Sequence, residues 1–165
     1  MRPVLVSLLA GALAACTGEI NIGEGGGPGE PEPPDAAGEQ PPPDGAMVTI
    51  DGPAVLPHVQ AFADAACSAV GACTVSTYDG HHPSAPRAID TLVSDAYGSL
   101  PSDGNALGDA HAAFALDHQA EYGIWYVIWR QRYNDGSGWE PMEDRGSITQ
   151  NHYDHVHVSF NETAP

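Results

Sequence analysis

Residues 47–165 predict a small α+β domain in which a mainly antiparallel sheet carries helices on one side, and three observations predict it. Two segments repeat apolar residues at helical spacing. Short runs of β-branched and aromatic residues separate and follow them. The last of these runs alternates with a period of two, as a strand with two different faces requires.

The elements follow in order. Val55, Val59, Phe62, Ala66 and Val70 share one helical face, and Gly71 follows them, so residues 55–70 read as an amphipathic helix. Residues 74–78 are a short strand. Asp79-Gly80-His81-His82-Pro83-Ser84-Ala85-Pro86 holds two prolines and an Asp-Gly step, which exclude regular structure and make it a loop. Residues 88–93 return to strand. Leu107, Ala110, Ala113 and Phe114 mark the inner face of a second helix over residues 106–122, with Gly123 as its stop. Ile124-Trp125-Tyr126-Val127-Ile128-Trp129 is the strongest strand in the chain and belongs inside the sheet. A polar loop with Gly136, Gly138 and Gly146 comes next. His155-Val156-His157-Val158-Ser159-Phe160 then reads as a half-buried strand with its histidines on one face.

Residues 1–16 hold a charged Arg2, an apolar run from Val4 to Leu13, and Leu13-Ala14-Ala15-Cys16. That is export-signal chemistry, too short to span a bilayer core of about 30 Å. It resembles a bacterial lipobox, which implies cleavage before Cys16, acylation of its thiol, and anchoring to a membrane facing the periplasm or exterior. Residues 17–46 are Gly, Pro, Glu and Asp with almost nothing apolar, so they are expected to form a disordered tether. Residues 47–165 are then the single folding unit.

The formal net charge is -17, lysine is absent, and the basic residues after the signal are Arg87, Arg130, Arg132 and Arg145. Such a chain does not bind a phosphate backbone, so nucleic acid is excluded as a partner. Cys67 and Cys73 remain once Cys16 carries lipid, and in an oxidising compartment they read as a local disulfide.

Histidine carries the chemistry. His81 and His82 share one loop, while His152, His155 and His157 cluster near the C-terminus. Residues two apart in a strand project together, so His155 and His157 face the same way, and Asp154 faces the other unless the strand begins after it. Zinc takes imidazole nitrogen and carboxylate oxygen, with three protein ligands at a catalytic site. His82, Asp90 and His157 can supply them, with His81 as the alternative to His82.

His82-Pro83-Ser84-Ala85-Pro86-Arg87-Ala88-Ile89-Asp90 followed by His155-Val156-His157 resembles the two signatures of the hedgehog/D-Ala-D-Ala-peptidase superfamily of zinc metallopeptidases. The stretches Ile128-Trp129-Arg130-Gln131-Arg132 and Asn151 to Ser159 also resemble a largely uncharacterised family of secreted bacterial and fungal proteins placed there. The first motif departs from the usual pattern: Pro86-Arg87-Ala88 replaces Gly-x-Ala, with one extra loop residue.

The resemblance implies a DD-peptidase-like fold, a zinc site of His82, Asp90 and His157, and hydrolysis of cell-wall (peptidoglycan) peptides as a D,D-carboxypeptidase or endopeptidase. It implies Asp154, His155 and His152 as candidates for the acid/base group. Arg87 or Arg130 can bind a peptide carboxylate, because a planar guanidinium matches it. The alternative is a non-catalytic zinc module that binds wall peptide or a protein partner. A metal-free phosphoesterase built on two His-x-Ser motifs is disfavoured, since Pro83 and Pro86 put one copy in a loop.

Overall fold

A computed structural model describes residues 47–165. The export signal, the acylation of Cys16 and the tether all lie outside the described residues. Among the described residues, no helix is long and apolar enough to cross a membrane.

Strand β1 (Ile50–Asp51) precedes helix α1 (Pro57–Val70), strand β2 (Val75–Ser76) and strand β3 (Ala88–Leu92). Helices α2 (Ala106–Asp117) and α3 (Gln119–Tyr122) lead into β4 (Ile124–Trp129), β5 (Arg132–Asn134), β6 (Glu140–Pro141) and β7 (His155–Phe160). One sheet holds the strands in the order β1-β2-β3-β7-β4-β5-β6. Every neighbouring pair is antiparallel except β1 and β2. The α+β class with a mainly antiparallel sheet is therefore observed, and β4 lies inside the sheet, one place from the central β7.

Helix α1 starts with Pro57, whose missing N–H has no helical partner to lose, and ends at Gly71 in the left-handed region (φ 85°). Cys67 and Cys73 are joined as a disulfide across that end, Cα atoms 4.7 Å apart, tying the helix to β2. Val59, Phe62, Ala63 and Ala66 of α1 and Ala112 and Ala115 of α2 pack on Ile89, Val127, Trp129, Val156, Val158 and Phe160 of the sheet. Phe62 meets His111, Tyr122 and Phe160 edge-on. Burying one such ring contributes about 1.5–3 kcal/mol. Gly108 lets α2 lie directly on β4, because a Cβ there would overlap the Trp129 ring.

Three expectations change. The second helix is interrupted at His118, whose backbone N–H and ring Nδ1 both lie within hydrogen-bond distance of the Phe114 carbonyl, at 3.1 and 2.9 Å. That carbonyl is captured locally, and the chain turns into α3. The glycine-rich loop contains β5 and β6, and the turn before β5 is Arg130-Gln131 with both φ positive, 53° and 55°. Side chains disfavour that turn by roughly 1–3 kcal/mol per residue, so the residues gave no turn signal. Long-range bonds hold it: Arg130 N–H donates to the His152 carbonyl (2.8 Å) and Gln131 N–H to the Asn151 carbonyl (2.7 Å). Strand β7 is buried on both faces rather than half-buried, with no residue more than 4% exposed.

Candidate metal centre

The register of β7 between β3 and β4 builds the site. Asp90 pairs with His157, Leu92 with His155, and Ile128 of β4 with His157. Val156, Val158 and Phe160 face the helices, so His155, His157 and Ser159 face the other way with Asp90. His81 comes down onto this face from the loop after β2. Its N–H donates to the Tyr78 carbonyl (3.0 Å), and its ring stacks on the Tyr78 ring at 4.4 Å between centroids.

Three ligand atoms converge. His81 Nε2 lies 3.1 Å from Asp90 Oδ1, His157 Nδ1 lies 2.9 Å from the same oxygen, and the two nitrogens are 2.9 Å apart. All three residues are buried. A tetrahedral ion with bonds of about 2.0–2.1 Å separates its ligands by about 3.3 Å, so small outward shifts turn this triangle into three vertices of such a shell. The donor set, two imidazole nitrogens and one carboxylate oxygen, suits a divalent cation and zinc in particular. The residues fit the metal. His157 is pulled below its ordinary value by burial, against the opposing pull of Asp90.

The adjacent histidine goes elsewhere. His82, the sequence choice for first ligand, pairs its Nδ1 with the Tyr126 hydroxyl at 2.8 Å. His81, the alternative, is the residue that stands with Asp90 and His157. Consecutive side chains of an irregular loop leave it in different directions, and the stacking of Tyr78 on His81 against the Tyr126 contact of His82 decides which turns inward.

The expected acid/base candidates separate in the same way. Strand β7 begins after Asp154, which is 0% exposed and has both oxygens engaged. Oδ1 accepts from His155 Nδ1 (2.6 Å), and Oδ2 accepts from the Gly98 N–H (2.6 Å) and the Thr149 hydroxyl (2.5 Å). Burial raises this carboxyl, but those hydrogen bonds prevail and keep it ionised below the usual range. Asp154 therefore holds His155, whose Nε2 lies 3.6 Å from Asp90 Oδ1. His152, at φ 55°, sets its ring 4.7 Å from that of His155 and 5.7 Å from that of His157. Burial and these two rings push it down to about 3, so it is neutral at ordinary pH.

A cleft of about 1100 Å³ opens over the triangle, walled by Tyr78, Tyr97, Trp125, Tyr126 and Tyr133. A bulge between Ile124 and Tyr126 sets Trp125 at its mouth, 42% exposed. Neither expected carboxylate binder lines this cleft. Arg87 donates from Nε to the Phe160 carbonyl (3.0 Å), and Arg130 lies 3.6 Å from Asp109. Arg132 sits over the Trp139 ring. Arg145 is the cation that lines the cleft, and sequence reasoning missed it. Its loop is tied down through Arg145 N–H to Asn151 Oδ1 (2.8 Å) and Asn151 Nδ2 to Asp144 Oδ1 (2.7 Å). Thr77 and Ser159, which touch the ligand imidazoles, were missed too, though Ser159 shares the strand alternation of His157.

No solved structure matches the chain. It is similar to a protein of Arthroderma benhamiae named "Uncharacterized secreted protein", 41% identical over an alignment of 59 positions, with 31% of this chain and 24% of that protein covered. The chain thus spans about a quarter of the length of this curated relative. A family profile matches residues 51–153, which include His81, Asp90, Arg145 and His152 and end just before His155 and His157. Because that match runs over more than half of the sequence, the chain belongs to the family described as VldE, C-terminal domain.

Proposed function

We propose that this domain is a zinc-dependent hydrolase of the hedgehog/D-Ala-D-Ala-peptidase type, acting on the peptides of the cell wall. The observation that carries the reading is the buried His81, Asp90 and His157 triangle beneath an aromatic cleft. A zinc ion held there would polarise a peptide carbonyl and lower the pKa of water toward 7.

The chain's own groups do the rest. His155 keeps its Nδ1 proton on Asp154, which leaves Nε2 beside Asp90 to accept a proton from water and pass it to the leaving amine. Asp154 acts through His155, since it has no free oxygen. His152, held neutral, borders the reacting position without serving as its base. The aromatic walls exclude water from the substrate, and Arg145 offers a guanidinium to a substrate carboxylate.

The relative's name supports secretion, and the Leu13-Ala14-Ala15-Cys16 start supports anchoring by lipid in the cell envelope. Cys16→Ser should move the chain from the membrane to the soluble fraction on fractionation of expressing cells. Retention in the membrane would sink the lipoprotein reading.

The deciding experiment is zinc analysis of the purified chain beside His81→Ala, His82→Ala, Asp90→Ala and His157→Ala, with hydrolysis of wall stem peptides followed in parallel. About one zinc per chain is expected, lost in all variants except His82→Ala. A chain that folds fully in strong chelator and never takes up zinc would end the metallopeptidase reading. The second reading, a non-catalytic zinc module, draws on the closeness of His155 Nε2 to Asp90, since a fourth protein ligand would close the site. In that case His155→Ala would lose zinc as fully as His157→Ala.

A further inference from the structure

We propose that the hydroxyls of Thr77 and Ser159 are positioning groups that choose which nitrogen of His81 and of His157 faces a divalent cation. The inference rests on the metal reading above and deepens it. It follows from counting protons. A hydroxyl has one proton to give and can also accept. The Thr77 hydroxyl donates to the Ala85 carbonyl (2.9 Å), so toward His81 Nδ1, 3.0 Å away, it accepts. The neutral ring therefore carries its proton on Nδ1, and Nε2 presents a lone pair.

His157 follows the same rule with its nitrogens reversed. The Ser159 hydroxyl donates to the His82 carbonyl (3.2 Å) and accepts from His157 Nε2 (2.8 Å), which leaves the lone pair on Nδ1. The two bare nitrogens are the two that lie 2.9 Å from each other and beside Asp90 Oδ1. Three electron-rich atoms at such distances repel one another, and a cation among them removes the repulsion. Thr77 is 4% exposed and Ser159 is 0% exposed, so bulk water does not take over either contact.

Both hydroxyls deliver their protons to the same loop, at His82 and Ala85. The backbone of that loop and the tautomers of the two imidazoles are thus one unit. Removing a hydroxyl frees its ring to adopt the other tautomer, which would turn an N–H into the triangle and oppose metal.

The test uses the full mature chain. Nitrogen-15 NMR of the imidazoles in chelator should place protons on His81 Nδ1 and His157 Nε2, and zinc affinity should be measured by chelator competition. Thr77→Val and Ser159→Ala should each weaken zinc binding by about 10–100-fold, and Thr77→Ser should restore it. Thermal unfolding in chelator separates this effect from simple loss of structure. Protons on His81 Nε2 or His157 Nδ1 in the wild type would overturn the proposal, as would folded variants that bind zinc as tightly as the wild type. A wild type with the expected tautomers that takes up no zinc would fail the metal reading and leave the tautomer assignment standing. If a variant does not fold, the wild-type spectrum decides.

Discussion

Strand β7 presents Val156, Val158 and Phe160 to the helices and His155, His157 and Ser159 to the cleft, and neither set is more than 4% exposed. On the helix face, burial is satisfied by shape alone. Phe62 and its neighbours fill space, and His111, whose ring packs edge-on against Phe62, has no hydrogen-bond partner on either nitrogen. On the cleft face both imidazoles of the triangle have a hydroxyl partner, and their other nitrogens crowd with Asp90 toward one point. Two layers of one sheet, equally dry, thus serve different ends. The helix face lowers the free energy of folding, whereas the cleft face gathers three buried ligand atoms that could hold a cation.

The largest way to break this contrast is His157→Ala. It should reduce zinc affinity by more than about 100-fold and abolish hydrolysis, while the metal-free chain still unfolds cooperatively. Metal retained in this variant would place the site elsewhere. Phe62→Ala probes the other face and should cost about 3–5 kcal/mol in denaturant unfolding, with zinc affinity unchanged under conditions where the variant is folded. A loss of zinc affinity in the folded variant would show that the two faces are not independent.

Acid should distinguish the faces next. Burial holds His111 down at about 4 against an ordinary value of 6.5. Below pH 6.5 the unfolded chain takes up this proton and the folded chain does not, so stability is fully present above 6.5. It falls with pH until the folded ring also protonates near 4. The loss is roughly 3 kcal/mol across that window, and His111→Leu should remove this part of the slope in unfolding measured from pH 7 to pH 4. An unchanged slope would assign the acid sensitivity to the cleft face. The smallest effect is that of Trp125→Ala at the cleft mouth. It should change stability by less than about 1 kcal/mol and raise KM for wall peptides more than it lowers kcat.

Much of this was legible before the fold was known. Helix α1, strands β3, β4 and β7, the Cys67–Cys73 pair, and Asp90 with His157 as neighbours in one site follow from periodicity and from the chemistry of a few side chains. A strand's alternation is local: once His157 is on a strand, its face relative to Val156 and Val158 is set by the pleat. The choice between His81 and His82 was not legible, because a loop has no such period. It depends on Tyr78, Tyr126 and Ser159, which lie near and far in sequence. The Arg130-Gln131 turn was hidden for the same reason, since its unfavourable backbone is held by carbonyls at positions 151 and 152. The burial of Asp154 and the turning of Arg145 toward the cleft also depend on the long loops that surround them. By itself, then, the sequence determined where helix α1 and the main strands β3, β4 and β7 form and which residue types can meet a metal. The tertiary structure decided which copies of those residues meet, because loop side chains take their directions from distant contacts rather than from a repeating backbone geometry.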